Sequence, residues 1–354
     1  MGRKAIRAAI LVASTAPHRI QPPIAYYLPA LASARGVASI AVSDPSGETE
    51  TVLSRLGGDG PRVRLFTDHR RLLGEVRPQF ALVTAPPLEA PALIRTALEA
   101  GCHVMADKPG AVRLADFAEL VGLAARRRRH LMLAFANRLS PLAREARRLV
   151  RSGALGRLYA ADVLTLSDQP RLKESGYARS WHARKSSAGG GHLIWLGIHY
   201  VDLLQFLSGE RVTAVTGFAR NVGGAPIEVE DAAAFTLELE RGALCTLHTG
   251  YYLDSGNWGS IALWGSDGWL RLDLIPEPAL EWHSSAPGMP AGVERRTDTS
   301  DFLTRQYYPF IQAAVDAASG AGEPPVTAAE GLSVLGVIFA AYRSVESDSA
   351  QRVD

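Results

Sequence analysis

The chain has 354 residues, 47% of them hydrophobic and 21% charged. That composition excludes a disordered chain, and at roughly 100–200 residues per domain the length suits two domains. Lys and Arg number 38 and Asp and Glu 36, so the net charge is +2. This balance is not the basic footprint of a nucleic-acid binder.

Two cysteines, Cys102 and Cys245, cannot build a disulfide framework or a Cys-rich zinc site, and no metal site is expected. No run of about 18 uncharged apolar residues is present, so no membrane partner is expected. Arg3, Lys4 and the apolar stretch Ile6–Ala13 loosely resemble a secretory leader. Arg7 interrupts that stretch and no clean small-x-small cleavage site follows, so it reads as a buried first strand of a cytoplasmic protein.

In chain order, Ile6–Ala13 is a predicted strand, Ile24–Ala34 a helix ended by Gly36, and Val37–Val42 a strand closing on Asp44-Pro45. Gln79–Thr84 follows as a strand, Ala90–Ala100 as a helix stopped by Gly101, and His103–Ala106 as a strand entering Asp107-Lys108-Pro109. Leu114–Arg128 is a helix and Leu131–Phe135 a further strand. Strands alternating with helices across short links imply a doubly wound parallel sheet of Rossmann type, whose ligands sit at the carboxyl ends of the strands.

The second half changes character. Leu158–Leu166, Val212–Ala219, Ala232–Leu239, Ala243–Tyr252, Ser260–Trp264 and Trp269–Leu274 read as strands separated by turn residues, which implies a largely antiparallel sheet. A helix about His192–Leu207 interrupts them, and a last one spans about 328–345. The fold class is therefore α/β, a Rossmann-type domain over 1–137 followed by an α+β domain over 138–354. The charge run Arg126–Arg129 reads as a solvated helix end, where cations complement the dipole.

A dinucleotide fold ordinarily carries Gly-x-Gly-x-x-Gly after its first strand, because glycine lets backbone approach a pyrophosphate. Here that segment is Ala13-Ser14-Thr15-Ala16-Pro17-His18, without glycine. Ala13 and Ser14 are small, Thr15 brings a hydroxyl, and His18 and Arg19 bring positive charge. Asp44 ends the second strand. A carboxylate there accepts from an adenine ribose and repels a 2′-phosphate, and an Asp-Pro turn is the structural alternative.

The chain resembles the Gfo/Idh/MocA oxidoreductases over nearly its whole length. The family's strand-Pro-helix, Ala-Gly-x-x-Val and Glu-Lys-Pro elements match Ala85-Pro86, Ala100-Gly101-Cys102-His103-Val104 and Asp107-Lys108-Pro109, with Asp107 replacing the Glu. Asn137-Arg138 with Pro141 matches its Asn-Arg signature, and Gly153-Ala154-Leu155-Gly156 its Gly-x-x-Gly turn. Gly189-Gly190-Gly191 with His199 and Asp202 matches its glycine-led helix. Gly265-Ser266-Asp267-Gly268 and Tyr342-Arg343-Ser344 fit near the end.

The resemblance implies an oxidoreductase that moves a hydride between NAD, with NADP less favoured, and a hydroxyl-bearing carbon of a sugar, cyclitol or related polyol. It implies cofactor contacts at Ala13, Ser14, Thr15, Asp44, Ala85, Pro86, Asp107, Lys108 and Pro109. Lys108 is the expected catalytic lysine, its ammonium stabilising the developing alkoxide, and His199 the expected base. The family carries an Asp four residues before that His, where this chain has Trp195. At ~100° per residue, His192, Trp195 and His199 fall at about 0°, −60° and −20° on one helical face. His192 and Trp195 are therefore expected at the substrate with His199, the indole offering a flat face to a sugar or to nicotinamide. Trp181, Arg184 and Lys185, in a loop before the glycines, match loosely a substrate-facing Trp-Arg pair. The resemblance also implies a homodimer or homotetramer. Two alternatives stand beside it: a redox-neutral enzyme with tightly bound NAD, performing elimination or epimerisation, and a non-catalytic sugar-binding or regulatory protein of the same fold.

Overall fold

The computed structural model describes residues 5–13, 24–45, 47, 49–50, 53, 63–174 and 176–353. It divides into two compact units, Met1–Ala136 with Asp301–Leu332 and Asn137–Ser300 with Ser333–Asp354. Residues 301–332, expected in the second domain, thus pack with the first.

The first unit is built on six parallel strands. These are β1 (Ile6–Val12), β2 (Val37–Ser43), β3 (Val63–Phe66), β4 (Phe80–Thr84), β5 (His103–Ala106) and β6 (Leu131–Leu133), in the spatial order β3-β2-β1-β4-β5-β6. The doubly wound expectation holds, with the strand order reversing between β1 and β4. β4 is buried along its whole length, as an apolar run covered on both faces must be. The connecting helices are α1 (Ile24–Ser33), α2 (His69–Val76), α3 (Ala90–Glu99) and α4 (Leu114–Arg127).

Strand β3 and helix α2 were not expected. The segment His-Arg-Arg-Leu-Leu-Gly-Glu-Val looks too polar for a helix, yet it buries Leu72, Leu73 and Val76. Asp68 caps it, accepting from the Arg71 backbone N–H at 2.6 Å.

The second unit holds a nine-stranded sheet in the order β14-β13-β12-β11-β7-β10-β9-β8-β15. Its members are β7 (Leu158–Asp168), β8 (Val212–Arg220), β9 (Ala232–Leu239), β10 (Leu244–Leu253), β11 (Asn257–Gly265), β12 (Gly268–Ile275), β13 (Ala279–Ser284), β14 (Val293–Thr297) and β15 (Gln351–Arg352). Neighbouring pairs are antiparallel except β7 with β10, which run parallel in register Leu244↔Ala160 to Tyr251↔Ser167. One face packs on α5 (Pro141–Arg151) and α6 (Ile198–Ser208). Among the described residues, the other face is open. Across it Leu244 and Trp264 flank Ala160, Thr246 and Ala262 flank Asp162, and Gly250 and Trp258 flank Leu166. Leu244, Trp258, Trp264 and Phe218 are exposed large hydrophobic residues on that face.

Helix α7 (Tyr308–Ala318) belongs to the first unit, and α8 (Ala328–Ser347) supplies residues to both. By length and composition α8 is apolar enough to cross a membrane, but half of its apolar stretch is buried in the protein, including Val334, Leu335 and Ile338.

At the amino-terminal edge of β5, the His103 ring lies 4.7 Å from that of His130, and its Nδ1 accepts from the His130 backbone N–H at 3.1 Å. Burial first, then the charges of His130 and Arg129, lowers the His103 pKa to about 4. The unfolded chain therefore binds the proton more readily between about pH 6.5 and 4, and stability must rise with pH across that window. His103→Asn keeps an acceptor but cannot titrate. Thermal melts from pH 4 to 7 are expected to show a shallower Tm dependence for this variant than for the parent, whereas parallel curves would contradict the account.

Candidate active site

A parallel sheet covered by helices leaves polar groups little room except at the carboxyl ends of its strands. Seven of the expected cofactor contacts fall there in the first unit. The Ala13 backbone N–H, after β1, donates to the Thr84 carbonyl at 3.0 Å. Ala85 and the buried Pro86 follow β4, and the Pro86 carbonyl accepts from Glu89 and Ala90 at 2.9 Å to start α3. Ser14 and Thr15, with His18 and Arg19, lie outside the described residues.

Asp44, after β2, is 8% exposed. Its Oδ2 accepts from both the backbone N–H and the hydroxyl of Thr49 at 2.7 Å each. Those bonds use two of about four acceptor positions of a carboxylate. Asp44 thus also serves as a local turn residue, the structural alternative raised by its Asp-Pro context. Beside it is a cavity of about 310 Å³ lined by Asp44, Thr49, Arg64, Phe66 and Arg71, among others. That volume is at the lower end of the range for small-molecule sites, ~300–1,000 Å³. The strand order, the carboxylate at the end of β2 and this cavity fit the adenosine half of a dinucleotide.

After β5 come Asp107, Lys108 and Pro109, joined by a cis Lys108–Pro109 bond. Lys108 is 8% exposed, unusual for a lysine, and Pro109 is buried. Asp107 is mostly buried, and burial raises its pKa against the opposing pull of Lys108.

In the second unit the glycine-led helix is held at its start by Glu230, which the sequence did not reveal. Its Oε2 accepts from the Gly191 N–H at 2.7 Å and its Oε1 from the Leu193 N–H at 3.0 Å. The Tyr342 hydroxyl donates to Oε1 at 2.8 Å, and the His192 N–H reaches the Glu230 carbonyl at 3.2 Å. A buried carboxylate on the N–H groups that open a helix satisfies donors with no partner inside the helix. The close approach explains two glycines: a Cβ on Gly190 would strike the Tyr342 hydroxyl, and one on Gly191 the Glu230 carbonyl.

The helix does not begin as α-helix. Leu193–Gly197 is a π-turn, and α6 continues from Ile198. Bonds of i→i+5 type widen the turn, so the expected alignment of His192, Trp195 and His199 at ~100° per residue does not apply across it. His192 is fully buried, its Nδ1 hydrogen-bonded to the Thr249 hydroxyl and its ring edge-on to Tyr251 at 4.5 Å. It is placed as a core histidine tied to β10. His199, in the first turn of α6, is half-buried.

Trp195 instead joins Trp181 and His182. Its ring meets Trp181 at 5.4 Å and His182 at 4.7 Å, both edge-on, while Trp181 stacks on His182 at 3.6 Å. The cavity they line with Tyr177 and Tyr251 is only about 10 Å³, room for at most one water. These rings therefore enclose no sugar within this unit, and only their outer faces are offered. Arg184 is exposed, and the Lys185 ammonium pairs at the surface with Glu346 at 3.0 Å.

Arg138 and Asp202, both from the family motifs, meet each other. The guanidinium grips the carboxylate at 2.7–3.0 Å, with side chains 3% and 0% exposed. Breaking such a buried pair costs about 3–5 kcal/mol. Their principal visible role is to lock the turn Ala136–Leu139 onto α6.

Comparison with known proteins places this geometry. Residues 24–135 match the oxidoreductase family model with an NAD-binding Rossmann fold, and residues 143–271 match the GFO/IDH/MocA C-terminal domain. D-glucoside 3-dehydrogenase of Escherichia coli is 28% identical over 204 residues, 54% of this chain, and the match spans little more than half (57%) of that relative. The oxidoreductase domain protein of Kribbella flavida superposes with a TM-score of 0.83 at 23% identity, covering 100% of both chains. The WlbA dehydrogenase of Bordetella pertussis, solved with NADH and UDP-GlcNAcA, gives 0.82 at 22% identity, covering 99% of both. With both halves matched in order, the chain belongs to the GFO/IDH/MocA family of oxidoreductases and carries its NAD-binding Rossmann fold.

Proposed function

We propose that the protein transfers a hydride between NAD and a hydroxyl-bearing carbon of a sugar, cyclitol or related polyol. The observation that carries this reading is Lys108, a buried lysine at the carboxyl end of β5 in a sheet of order β3-β2-β1-β4-β5-β6. The relatives support the substrate class: one is named for a D-glucoside, and another was solved with a nucleotide sugar. NAD supplies the hydride acceptor or donor. The protein's own share is positioning and charge. Asp44 accepts from ribose hydroxyls and disfavours a 2′-phosphate. Lys108, shielded from water, donates to the substrate oxygen and stabilises the negative charge that grows on it as the carbon–hydrogen bond breaks. His199 takes the hydroxyl proton. Trp195 stands where many members carry an Asp, and indole has one donor and no acceptor, so it cannot accept the imidazole N–H as a carboxylate does. The outer faces of Trp181 and Trp195 offer flat apolar surface to a sugar ring.

The test is turnover with a panel of sugars and cyclitols. Lys108→Ala is expected to lower kcat on the order of 10²–10³-fold while the fold persists, the scale for one lost electrostatic donor. His199→Ala is expected to remove the pH-dependent rise of the oxidation rate. Lys108→Ala activity within a few-fold of the parent would make the lysine a bystander, and an unchanged pH profile in His199→Ala would assign the base elsewhere.

We also propose that a second copy of the chain covers the open face of the nine-stranded sheet. Support comes from the exposed Phe218, Leu244, Trp258 and Trp264 on that face. Contiguous apolar surface of this kind marks an interaction site, and a two-fold contact is the commonest way to cover it. Sedimentation is expected to show an oligomer for the parent and a monomer for the double variant Leu244→Glu, Trp264→Glu. A monomeric parent at micromolar concentration would refute this.

A further inference from the structure

Within the first unit, one oxygen of Asp107 gathers two donors, one from the next residue and one from a distant helix. Its Oδ1 accepts from the Tyr27 hydroxyl at 3.2 Å and from the Lys108 backbone N–H at 2.9 Å. Tyr27 stands on α1, 80 residues earlier, and is 2% exposed. Tyr307, from the π-turn Leu303–Tyr307 before α7, closes the cluster. Its ring meets Tyr27 edge-on at 5.6 Å and stacks on Tyr26 at 5.5 Å. The titratable groups acting on Asp107 are thus Lys108 from its own loop, Tyr27 from α1 and Tyr307 from that π-turn.

The electrostatics make this carboxylate sensitive to its donors. Burial raises the Asp107 pKa, while the Lys108 charge, the Lys108 N–H and the Tyr27 hydroxyl pull it back down. Burial and Asp107 itself raise both tyrosines, so each stays a neutral phenol at working pH. Deleting a donor to a buried carboxylate leaves its charge less well held. The charge that weakens here adjoins the backbone carrying Lys108.

We propose that Tyr27 is a positioning residue for Lys108: by donating to Asp107, it ties α1 to the end of β5 and holds the carboxylate and backbone that carry the lysine. The proposal rests on the reading of Lys108 as the group that meets the reacting oxygen. The sequence hid this contact because Asp107 is one methylene shorter than the family's Glu, and nothing local indicates that a tyrosine on α1 reaches it.

The experiment is a double-mutant cycle with Tyr27→Phe, Asp107→Asn and both together, read in two ways. The first readout needs no turnover: thermal melting of the cofactor-free protein from about pH 3.5 to 7, the range in which a buried carboxyl ionises. The Tyr27 bond favours the ionised carboxylate, so the Tm penalty of Tyr27→Phe is expected to grow as pH rises through this range, and to be flat with Asn at 107. The second is kcat set against KM. Tyr27→Phe is expected to lower kcat about tenfold at neutral pH, the loss of one hydrogen bond to a charged group. KM for NAD is expected to stay within about twofold, and the double variant to lose little beyond Asp107→Asn. A Tm penalty that is independent of pH and equal in both backgrounds reduces Tyr27 to packing and overturns the proposal, as does an unchanged kcat. If Lys108→Ala abolishes turnover while Tyr27→Phe leaves both the Tm curve and kcat in place, this proposal fails and the reading of Lys108 stands. If Lys108→Ala retains turnover, that reading fails and takes the proposal with it.

Discussion

A sheet of parallel strands covered on both faces has one place for polar chemistry, the carboxyl ends of its strands. In the first unit β4 is buried throughout and β1 almost so. The residues with chemistry to offer follow strands: Asp44 after β2, Ala85-Pro86 after β4, and Asp107, Lys108 and Pro109 after β5. The burial of Lys108 follows from this constraint. Elsewhere a lysine swings into water, but here the loop is held by its own neighbour's carboxylate and by a tyrosine from α1.

The second unit meets a different demand. Its glycine-led helix must start against a sheet without stranding backbone N–H groups, and the buried carboxylate of Glu230 receives two of them. Tyr342 from the last helix completes that carboxylate. The three consecutive glycines follow, since two of them face oxygen atoms where a Cβ has no room. Downstream, the Arg138–Asp202 pair fixes α6. The family motifs in this unit therefore include residues that build the frame, such as Gly190, Gly191, Arg138 and Asp202, beside those proposed to meet the substrate, such as His199.

What the sequence disclosed follows the same division. Long apolar strands and their turn signals were legible, so the two kinds of sheet could be predicted in order. The parallel pairing of β7 with β10 was not, because pairing partners leave no local mark. Helix α2 was hidden by its polar composition, although its Asp68 cap was present to be read. The packing of residues 301–332 with the first unit depends on long-range contacts, among them Tyr307 with Tyr27. The expected alignment of His192 and His199 rested on a regular helix, which this segment is not. Periodicity assumes α-helix, and the π-turn at Leu193–Gly197 adjoins bonds to Glu230, 37 to 39 residues away in sequence. Asp44 was legible as a candidate, but its second role, accepting from Thr49, was not.

The account turns on a dinucleotide binding to a Rossmann unit that lacks the usual glycines after β1. Titration of the purified protein with NADH and with NADPH, followed by nicotinamide fluorescence, addresses this directly. The account predicts saturable binding of NADH and weaker binding of NADPH, with Asp44→Ser narrowing the difference by relieving repulsion of the 2′-phosphate. Failure of the parent to bind either dinucleotide would contradict it.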